Sequence, residues 1–381
     1  MATTSLGGME EFYMRGKLGI TAIKRNIFLY PVILMLAVMF NACAGTQVSA
    51  PANPVFFPPA PNPPRIQYLT RISSSRDVNE KKLGGLALVA VGDRQAEKVK
   101  PIVKPYGITV HGGKIYVCDT TAGRVIIIDP AKKTFDFLKG NYSFGKLKKP
   151  IGLELDQDNN LYVADSMRRE VLVYGPSGNF LRSFGKSLDM KPVDVALDGN
   201  YLYVLDIKNH EVKILDRKTG RLKGKIGKTA AGDYLLAMPI SIDVGPKGGL
   251  FITNMTSGKV VNLDRDGHLL GEFGKLGDGF GQFGRPKGVA VDDHGRVYVV
   301  DAAHQNVQIF NQKGRLLMFF GDPGLPFGSL NLPAGIAVTS DGIDLFRRYS
   351  DPAFQVEELI FVTSQFGPAK ISVYGLGQLK D

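Results

Sequence analysis

The stretch FGQFGRPKGVAVDDHGRVYVVDAAHQNVQIFNQKGRLLMFFG at residues 280–321 decides the fold of this 381-residue chain. Its apolar residues fall in four short runs, 288–292, 297–300, 307–310 and 316–320, which turn-forming residues separate. Runs of this length and composition are typical of strands. The stretch therefore predicts four consecutive strands of one small sheet.

The same skeleton recurs along the chain, with a proline before a strand of small residues and a polar residue that ends an apolar strand about fifteen residues later. The prolines, spaced by 42 to 47 residues, are Pro105, Pro150, Pro192, Pro239, Pro286 and Pro333. The strand ends are Asp119, Asp165, Asp206, Asn254, Asp301 and Ser364. A unit this small cannot bury both faces of its sheet alone, and stacking in a ring leaves few exposed edges. We therefore predict an all-β fold, a six-bladed β-propeller of four-stranded blades.

Two of these repeats resemble the units of the NHL-repeat family. They are KPIGLELDQDNNLYVADSMRREVLVYGPSGNFLRSFG from Lys149 and RPKGVAVDDHGRVYVVDAAHQNVQIFNQKGRLLMFFG from Arg285. The resemblance extends over residues 104–376, and the sixth repeat matches least well. It implies a propeller that serves as a binding or scaffold surface, because only a few members of the family are enzymes. The alternative is a propeller hydrolase or lyase with a divalent metal near the axis.

The N-terminal segment has the features of a signal peptide. The uncharged run IFLYPVILMLAVMF at 27–40 follows a basic segment and is shorter than the about 20 residues that span a membrane. We therefore predict a signal peptide over 1–42. Cys43, in FNACAG, resembles the cysteine of bacterial lipoproteins that carries a diacylglycerol; ordinary cleavage nearby and a retained anchor are the alternatives. The resemblance implies a lipid-anchored protein of the bacterial cell envelope, in the outer rather than the inner membrane.

The remaining chain divides into a tether and one domain. Residues 43–64 contain seven prolines, which favour an extended polyproline conformation. Residues 65–381 form the propeller, whose sixth repeat lacks a fourth strand. Because one strand from each terminus would remove two exposed edges, we predict that RIQYLTRI at 65–72 completes the last blade. The segment LGGLALVAVG at 83–92 is either a strand or a packed loop.

Cysteine and cofactor chemistry is limited in this chain. If Cys43 carries lipid, only Cys118 remains, so that a disulfide within one chain is impossible. Cys118 ends the apolar strand KIYVCD, and we expect a small buried side chain there rather than a reactive thiol. No C-x-x-C-H motif is present, which excludes covalent c-type haem. We expect no cofactor and no metal.

The order of strands assigns each turn to one side of the ring. The connection into each blade and the turn between its second and third strands lie on one side, the entrance face; the other turns lie on the far face. The histidines divide between the two faces, with His210 and His304 on the entrance face and His111, His268 and His294 on the far face. Three ligands therefore do not converge, and solvated turn histidines are favoured over a metal site.

Aspartate ends the second strand in four of the six repeats, at Asp119, Asp165, Asp206 and Asp301. Asp in this position accepts hydrogen bonds from the backbone of the following turn. Asn254 in the fourth repeat can accept the same bonds without a charge. We therefore interpret the recurring residue as a turn cap and not as a ring of catalytic carboxylates, and we predict no catalytic residue.

The chain is basic, with 47 Lys and Arg against 36 Asp and Glu, a formal net charge of +11. The entrance face collects much of the positive charge. The candidate ligand-binding residues there are Lys149, Arg168, Arg169, Lys208, Arg285 and Lys287. Such a face attracts an acidic protein or an anionic polymer of the envelope, such as an acidic polysaccharide or lipopolysaccharide. Nucleic acid is disfavoured but stays open, and lysines that only solubilise loops are the alternative.

Overall fold

The computed structural model describes residues 53–79, 99–229 and 231–380 of the chain. The predictions for the signal peptide, for Cys43 and for the segment 83–92 lie outside these residues. Within the described part of the chain, no helix has the length and apolar character that crossing a membrane requires.

Six antiparallel sheets form the blades of a propeller, which confirms the predicted fold. The described chain begins with β1 (Val55–Phe57) and β2 (Ile66–Ile72). Blade one contains β3 (Pro105–His111), β4 (Lys114–Asp119), β5 (Arg124–Asp129) and β6 (Thr134–Phe137). Blade two contains β7 (Pro150–Leu155), β8 (Leu161–Asp165), β9 (Glu170–Tyr174) and β10 (Phe180–Phe184). Blade three contains β11 (Pro192–Asp198), β12 (Tyr201–Asp206), β13 (Glu211–Asp216) and β14 (Leu222–Ile226).

The second half of the ring repeats this arrangement. Blade four contains β15 (Pro239–Val244), β16 (Leu250–Asn254), β17 (Lys259–Leu263) and β18 (Leu269–Phe273). Blade five contains β19 (Pro286–Val291), β20 (Val297–Asp301), β21 (Asn306–Phe310) and β22 (Leu316–Phe320). Blade six contains β23 (Pro333–Thr339), β24 (Phe354–Ser364) and β25 (Ile371–Leu379). The described helical segments are α1 (Ile343–Phe346) and the 3-10 turns Ser75–Asp77, Ser143–Gly145 and Arg347–Tyr349.

An N-terminal strand closes the ring, as the sequence predicted. β2 pairs antiparallel with β25, so that Ile72 lies opposite Ile371. A fifth strand, β1, pairs with the outer edge of β2. It comes from within the segment 43–64 that was predicted as a tether, and its residue Phe57 is buried between blades five and six. The last blade is thus built from both ends of the chain.

The first strands of the six blades surround the axis, and β23 contacts β3. Four of these strands carry glycine two residues after the initial proline, at Gly107, Gly152, Gly288 and Gly335. A Cβ atom at Gly335 would lie 2.2 Å from the carbonyl oxygen of Tyr106 in blade one. At Gly152 it would lie 2.0 Å from the carboxylate of Asp194 in blade three. Glycine therefore allows neighbouring first strands to approach each other.

The hydrophobic core consists of six clusters, each between two adjacent blades. Between blades one and two, Cys118 and Val125 pack against Leu153 and Leu172. Cys118 is fully buried, and burial raises the pKa of its thiol well above the usual range. The expected small buried side chain is confirmed, and each blade buries its faces against its neighbours.

Candidate binding site

The polar residue that ends each second strand joins two loops of the entrance face. In blade two the carboxylate of Asp165 accepts backbone N–H bonds from Lys148 (2.6 Å) and Lys149 (3.0 Å) in the incoming connection. It also accepts one from Arg168 (3.0 Å) in the following turn. Asp301 does the same in blade five for Gly284 (2.7 Å) and other amides. The predicted turn-capping role is confirmed.

Neutral residues perform this task in two blades. The side-chain oxygen of Asn254 accepts a bond from the N–H of Ala237 (3.2 Å) in blade four. The hydroxyl of Ser364 accepts one from the N–H of Asn331 (3.2 Å) in blade six. Because an uncharged acceptor replaces the carboxylate at equivalent positions, the shared requirement is an acceptor for amide groups.

The entrance face carries the most exposed aromatic side chains of the described residues. Phe280 is 83% exposed and Phe144 is 81% exposed. The next three, Tyr142, Tyr234 and Phe366, also lie in entrance-face loops. These loops belong to different parts of the ring, so that the aromatic groups are distributed around it. Aromatic residues are enriched in protein interfaces relative to the rest of the surface.

Two of the six predicted basic residues are free to meet a partner. Lys149 and Arg285 are exposed at the start of blades two and five. Among the described residues, neither forms an ion pair with an acidic side chain. Their charges are therefore compensated mainly by solvent.

Arg168 is directed inward. It forms an ion pair with Glu170 (2.6 Å), whose side chain is largely buried. It also donates hydrogen bonds to the carbonyl oxygens of Phe144 (2.7 Å) and Lys146 (2.9 Å). This arginine holds the loop that carries the exposed Phe144, and its role in the free protein is structural.

Arg169 and Lys208 share one acidic partner between blades two and three. The ammonium of Lys208 lies 2.5 Å from the carboxylate of Asp189, and the guanidinium of Arg169 lies 3.9 Å from it. The hydrogen bond and the charge of Lys208 hold the pKa of Asp189 below its usual range. A cavity of about 490 Å³ opens beside this group. It is lined by Leu188, Asp189, Lys208, Asn209, His210, Glu211, Lys225, Lys228 and Tyr234.

Lys287 differs from the other five, because it is only 5% exposed. Its ammonium lies 5.2 Å from the ring centre of Tyr106, which belongs to blade one. Burial, with smaller contributions from the charges of Arg285 and Lys104, lowers the pKa of Lys287 to about 8. The structure thus brings together Arg285 with Lys287, and Arg169 with Lys208.

Sequence reasoning missed three acidic residues that line the axis. Glu154, Asp194 and Asp243 lie in the first strands of blades two, three and four, around a cavity of about 310 Å³. Burial raises the pKa of Glu154 to about 8, of Asp194 to about 7 and of Asp243 to about 6. Alignment of the repeats contains a signal for them, because most other repeats have Gly, Ala, Ser or Thr at the equivalent positions.

The axial carboxylates accept hydrogen bonds from the neighbouring first strands. Asp194 accepts bonds from the hydroxyl of Ser241 (2.7 Å) and the N–H of Ile242 (3.1 Å). Asp243 accepts one from the N–H of Val291 (2.7 Å). Each of these bonds connects two blades. The carboxylates therefore satisfy amides on the inner edges of the ring, where strand pairing ends.

Two groups of potential metal ligands occur among the described residues, and neither contains an axial carboxylate. One is Asp264, Asp266 and His268, within a single far-face turn. The other is Asp292, His294 and Glu358, where the guanidinium of Arg296 already pairs with both carboxylates. All five histidines lie on the faces that strand order predicted, His210 and His304 apart from the other three.

Comparison with known proteins supports the fold. Residues 283–310 match the model of the NHL repeat. No curated protein matches the sequence significantly. A gluconolactonase from Xanthomonas campestris is similar in structure, with 16% identity and a TM-score of 0.54 over 86% of this chain and 99% of that one. Regucalcin, a calcium-binding protein from Agrobacterium tumefaciens, has 12% identity and a TM-score of 0.52 over 74% and 93%.

A third similar structure is a catalytically inactive variant of virginiamycin B lyase from Staphylococcus aureus, with bound quinupristin. It has 13% identity and a TM-score of 0.51, over 74% of this chain and 86% of that one. Identities this low establish the propeller fold and no shared activity.

Proposed function

We propose that this NHL-repeat β-propeller is a binding protein whose entrance face contacts an acidic protein. The observation that carries the proposal is that this face combines the five most exposed aromatic side chains with cations that have no acidic partner among the described residues. Aromatic groups and arginine are enriched in protein interfaces. The exposed apolar groups favour a protein over a purely polar polymer.

The aromatic and cationic groups lie close in the chain. Phe144 is followed by the exposed Lys148 and Lys149, and Phe280 is followed by the exposed Arg285. Each loop therefore offers an apolar contact beside a positive charge. An acidic surface with apolar groups between its carboxylates complements both features.

The first test uses fluorescein-labelled poly-L-glutamate as an acidic probe, and its binding is followed by fluorescence anisotropy. Replacement of Lys148, Lys149 and Arg285 with Ser should weaken binding at least about tenfold, because each removed charge weakens the same field. Affinity of the unchanged protein should fall steeply between about 50 and 200 mM salt, since salt screens exposed charges.

The matched control removes three exposed lysines from the far face, Lys218, Lys247 and Lys313, also to Ser. Its affinity should stay within about twofold of the unchanged protein, because it has the same net charge as the first variant but an intact entrance face. Equal losses in the two variants would show that only net charge matters. Absence of binding by the unchanged protein would also contradict the proposal.

We further propose that a lipid on Cys43 anchors this binding face to a membrane of the bacterial envelope. The support is the sequence FNACAG after an uncharged run. Cys43→Ser should release the protein from the membrane fraction or leave its precursor uncleaved. Mass spectrometry and fractionation of both forms measure this outcome, and an unchanged mass with unchanged membrane association would refute it.

A further inference from the structure

One cationic side chain of the entrance face is buried without an acceptor. Lys287 is 5% exposed, and its ammonium donates no hydrogen bond to a described residue and forms no ion pair with one. Its contact is the ring of Tyr106, at 5.2 Å from the ring centre. An ammonium that has lost most of its water and gained no acceptor is unfavourable in the free protein. An anion that reached it would relieve this cost.

The surroundings of Lys287 add to its positive potential. The charged side chains that lower its pKa are Arg285 and Lys104, both cationic. Lys104 lies with its ammonium 5.4 Å from the ring centre of Phe366, one of the exposed aromatic groups. Three cations therefore contribute to one region, and two of their ammonium groups lie over aromatic rings. Their summed positive potential attracts an anion.

The position of Lys287 places this region at the centre of the ring. It is the second residue of the first strand of blade five, and Tyr106 is the second residue of the first strand of blade one. Blade six lies between them, so that the lysine reaches across its first strand. One residue further along the first strands, glycines allow neighbouring backbones to approach each other closely. A Cβ atom at Gly335 would lie 2.2 Å from the carbonyl oxygen of Tyr106.

We propose that Lys287 binds an oxyanion, a carboxylate or a phosphate group, which a ligand inserts at the axis on the entrance face. Arg285 and Lys104 assist by their charge, and the rings of Tyr106 and Phe366 flank the group. The inference rests on the proposed function, because it names the anionic group that the entrance face recognises at its centre.

The test measures thermal stability in inorganic phosphate and, separately, in acetate, at pH 7 and at constant ionic strength maintained with sodium chloride. A bound anion stabilises the folded protein as its concentration exceeds its dissociation constant. The melting temperature of the unchanged protein should rise by several degrees in at least one of the two salts. A rise in phosphate alone identifies a phosphoryl group, and a rise in acetate alone identifies a carboxylate.

The variant Lys287→Met should lose this rise, and the matched control Lys313→Met, an exposed far-face lysine, should keep it. Both salts also have a general effect on stability through exclusion from the surface, which is equal in all three proteins and is subtracted by this comparison. Equal rises in Lys287→Met and in the unchanged protein would overturn the inference, as would the absence of any rise in the unchanged protein.

A second readout is proton uptake, from titration calorimetry with phosphate at pH 8 in two buffers of different ionisation enthalpy. Because Lys287 has a pKa of about 8, an anion beside it should cause uptake of a fraction of a proton, and Lys287→Met should show less. Tyr106 does not interfere, because burial raises its pKa to about 12. Equal uptake by both proteins would contradict the site.

The two proposals fail separately. Loss of poly-L-glutamate binding in the far-face triple variant would contradict the proposed function and leave the phosphate result unaffected. Unchanged phosphate stabilisation in Lys287→Met would contradict the oxyanion site and leave the role of the exposed cations intact.

Discussion

Two lysines are buried among the residues that the structure describes, and their surroundings are opposite. Lys213, in the third strand of blade three, is fully buried and pairs with Asp206 at 2.7 Å and with Glu211. Lys287, in the first strand of blade five, is nearly as buried, but its ammonium lies over the face of an aromatic ring and pairs with no acidic group among the described residues. One ammonium is part of an internal ion network, whereas the charges that shift the pKa of the other are both cationic.

The difference separates a structural charge from a charge that is available to a ligand. Burial alone would raise the pKa of Asp206, but hydrogen bonds from the N–H of Lys191 and from the ammonium of Lys213 hold it below its usual range. The network of Lys213 is therefore complete within the chain. Lys287 has no such compensation, so that its folding cost is offset only by an aromatic contact.

The largest expected effect follows from Lys213→Met. Removal of the ammonium leaves the buried carboxylate of Asp206 and the partly buried carboxylate of Glu211 without their shared cation. Loss of one partner from a buried ion network destabilises a protein by about 3 to 5 kcal/mol. Chemical denaturation at pH 7 should show a decrease of this size in the free energy of unfolding.

Lys225→Met is the matched control for this variant. Lys225 also lies near Glu211, at 3.4 Å, but its side chain is 53% exposed. Ion pairs of exposed lysines contribute about 1 kcal/mol or less. If Lys213→Met were as mild as Lys225→Met, the buried network would not be a stabilising part of the blade.

Lys287→Met should change the free energy of unfolding in the opposite direction to Lys213→Met, and by a smaller amount. The pKa of Lys287 is about 8 in the folded protein against an ordinary 10.5, so that the folded state binds fewer protons between these values. The stability of the unchanged protein therefore rises with pH through this window, and the cost of the buried charge is fully present below pH 8. The shift corresponds to about 3 kcal/mol, and loss of the aromatic contact subtracts about 1 to 2 kcal/mol.

At pH 7 the variant should thus be more stable by about 1 to 2 kcal/mol, and its advantage should shrink as the pH rises from 8 toward 10. Denaturation curves of both proteins at pH 7, 8, 9 and 9.5 measure the trend. A less stable Lys287→Met at pH 7, or a difference that does not change with pH, would mean that an acceptor compensates the lysine in the free protein.

The sequence was sufficient for the fold because the propeller repeats one local pattern six times. Each repeat carries its own turn signals, and the residues that cap the turns have the same role wherever they occur, as Asp165 and Asn254 illustrate. Closure by residues 65–72 followed from counting strands. The strand Val55–Phe57 was missed, because a short run between prolines has no periodicity of its own.

The candidate site was less predictable, because charge on a face does not reveal which charges are already paired. The sequence places Arg168 beside Arg169, but Glu170 and two loop carbonyls engage only the first. The sequence also did not indicate that Lys287 is buried. Its side chain extends from blade five across the first strand of blade six to the ring of Tyr106 in blade one. These properties arise from contacts between repeats, which a pattern within one repeat does not contain.

Arg168→Ser extends the comparison from lysines to arginines. The variant leaves the largely buried Glu170 without its cation, and it frees the carbonyl oxygens of Phe144 and Lys146. Hydrogen bonds to charged groups contribute about 1.5 to 3 kcal/mol each. The side chain of Arg168 is partly exposed, so that water would replace some of the lost hydrogen bonds in the variant. We expect a loss of about 2 kcal/mol in the free energy of unfolding, measured by urea denaturation. An unchanged free energy of unfolding in Arg168→Ser would show that other contacts hold the loop.

Arg285→Ser should have the smallest effect on stability, within about 0.5 kcal/mol, because exposed charges without partners contribute little to folding. The arginine is exposed, and its hydrogen bonds are made by its backbone: the N–H donates to Asp301 at 2.9 Å and the carbonyl accepts from the N–H of Ala302 at 3.0 Å. Serine retains both bonds. Binding should respond differently, since the same charge adds to the potential of the entrance face: affinity for poly-L-glutamate should fall by about two- to fivefold at low salt. Arg168→Ser should behave in the opposite way. It should lower stability more than Arg285→Ser does, and it should lower the affinity for poly-L-glutamate less, because the charge of Arg168 is already paired with Glu170. If Arg285→Ser instead lowered stability as much as Arg168→Ser, the distinction between paired and available cations would not describe this face.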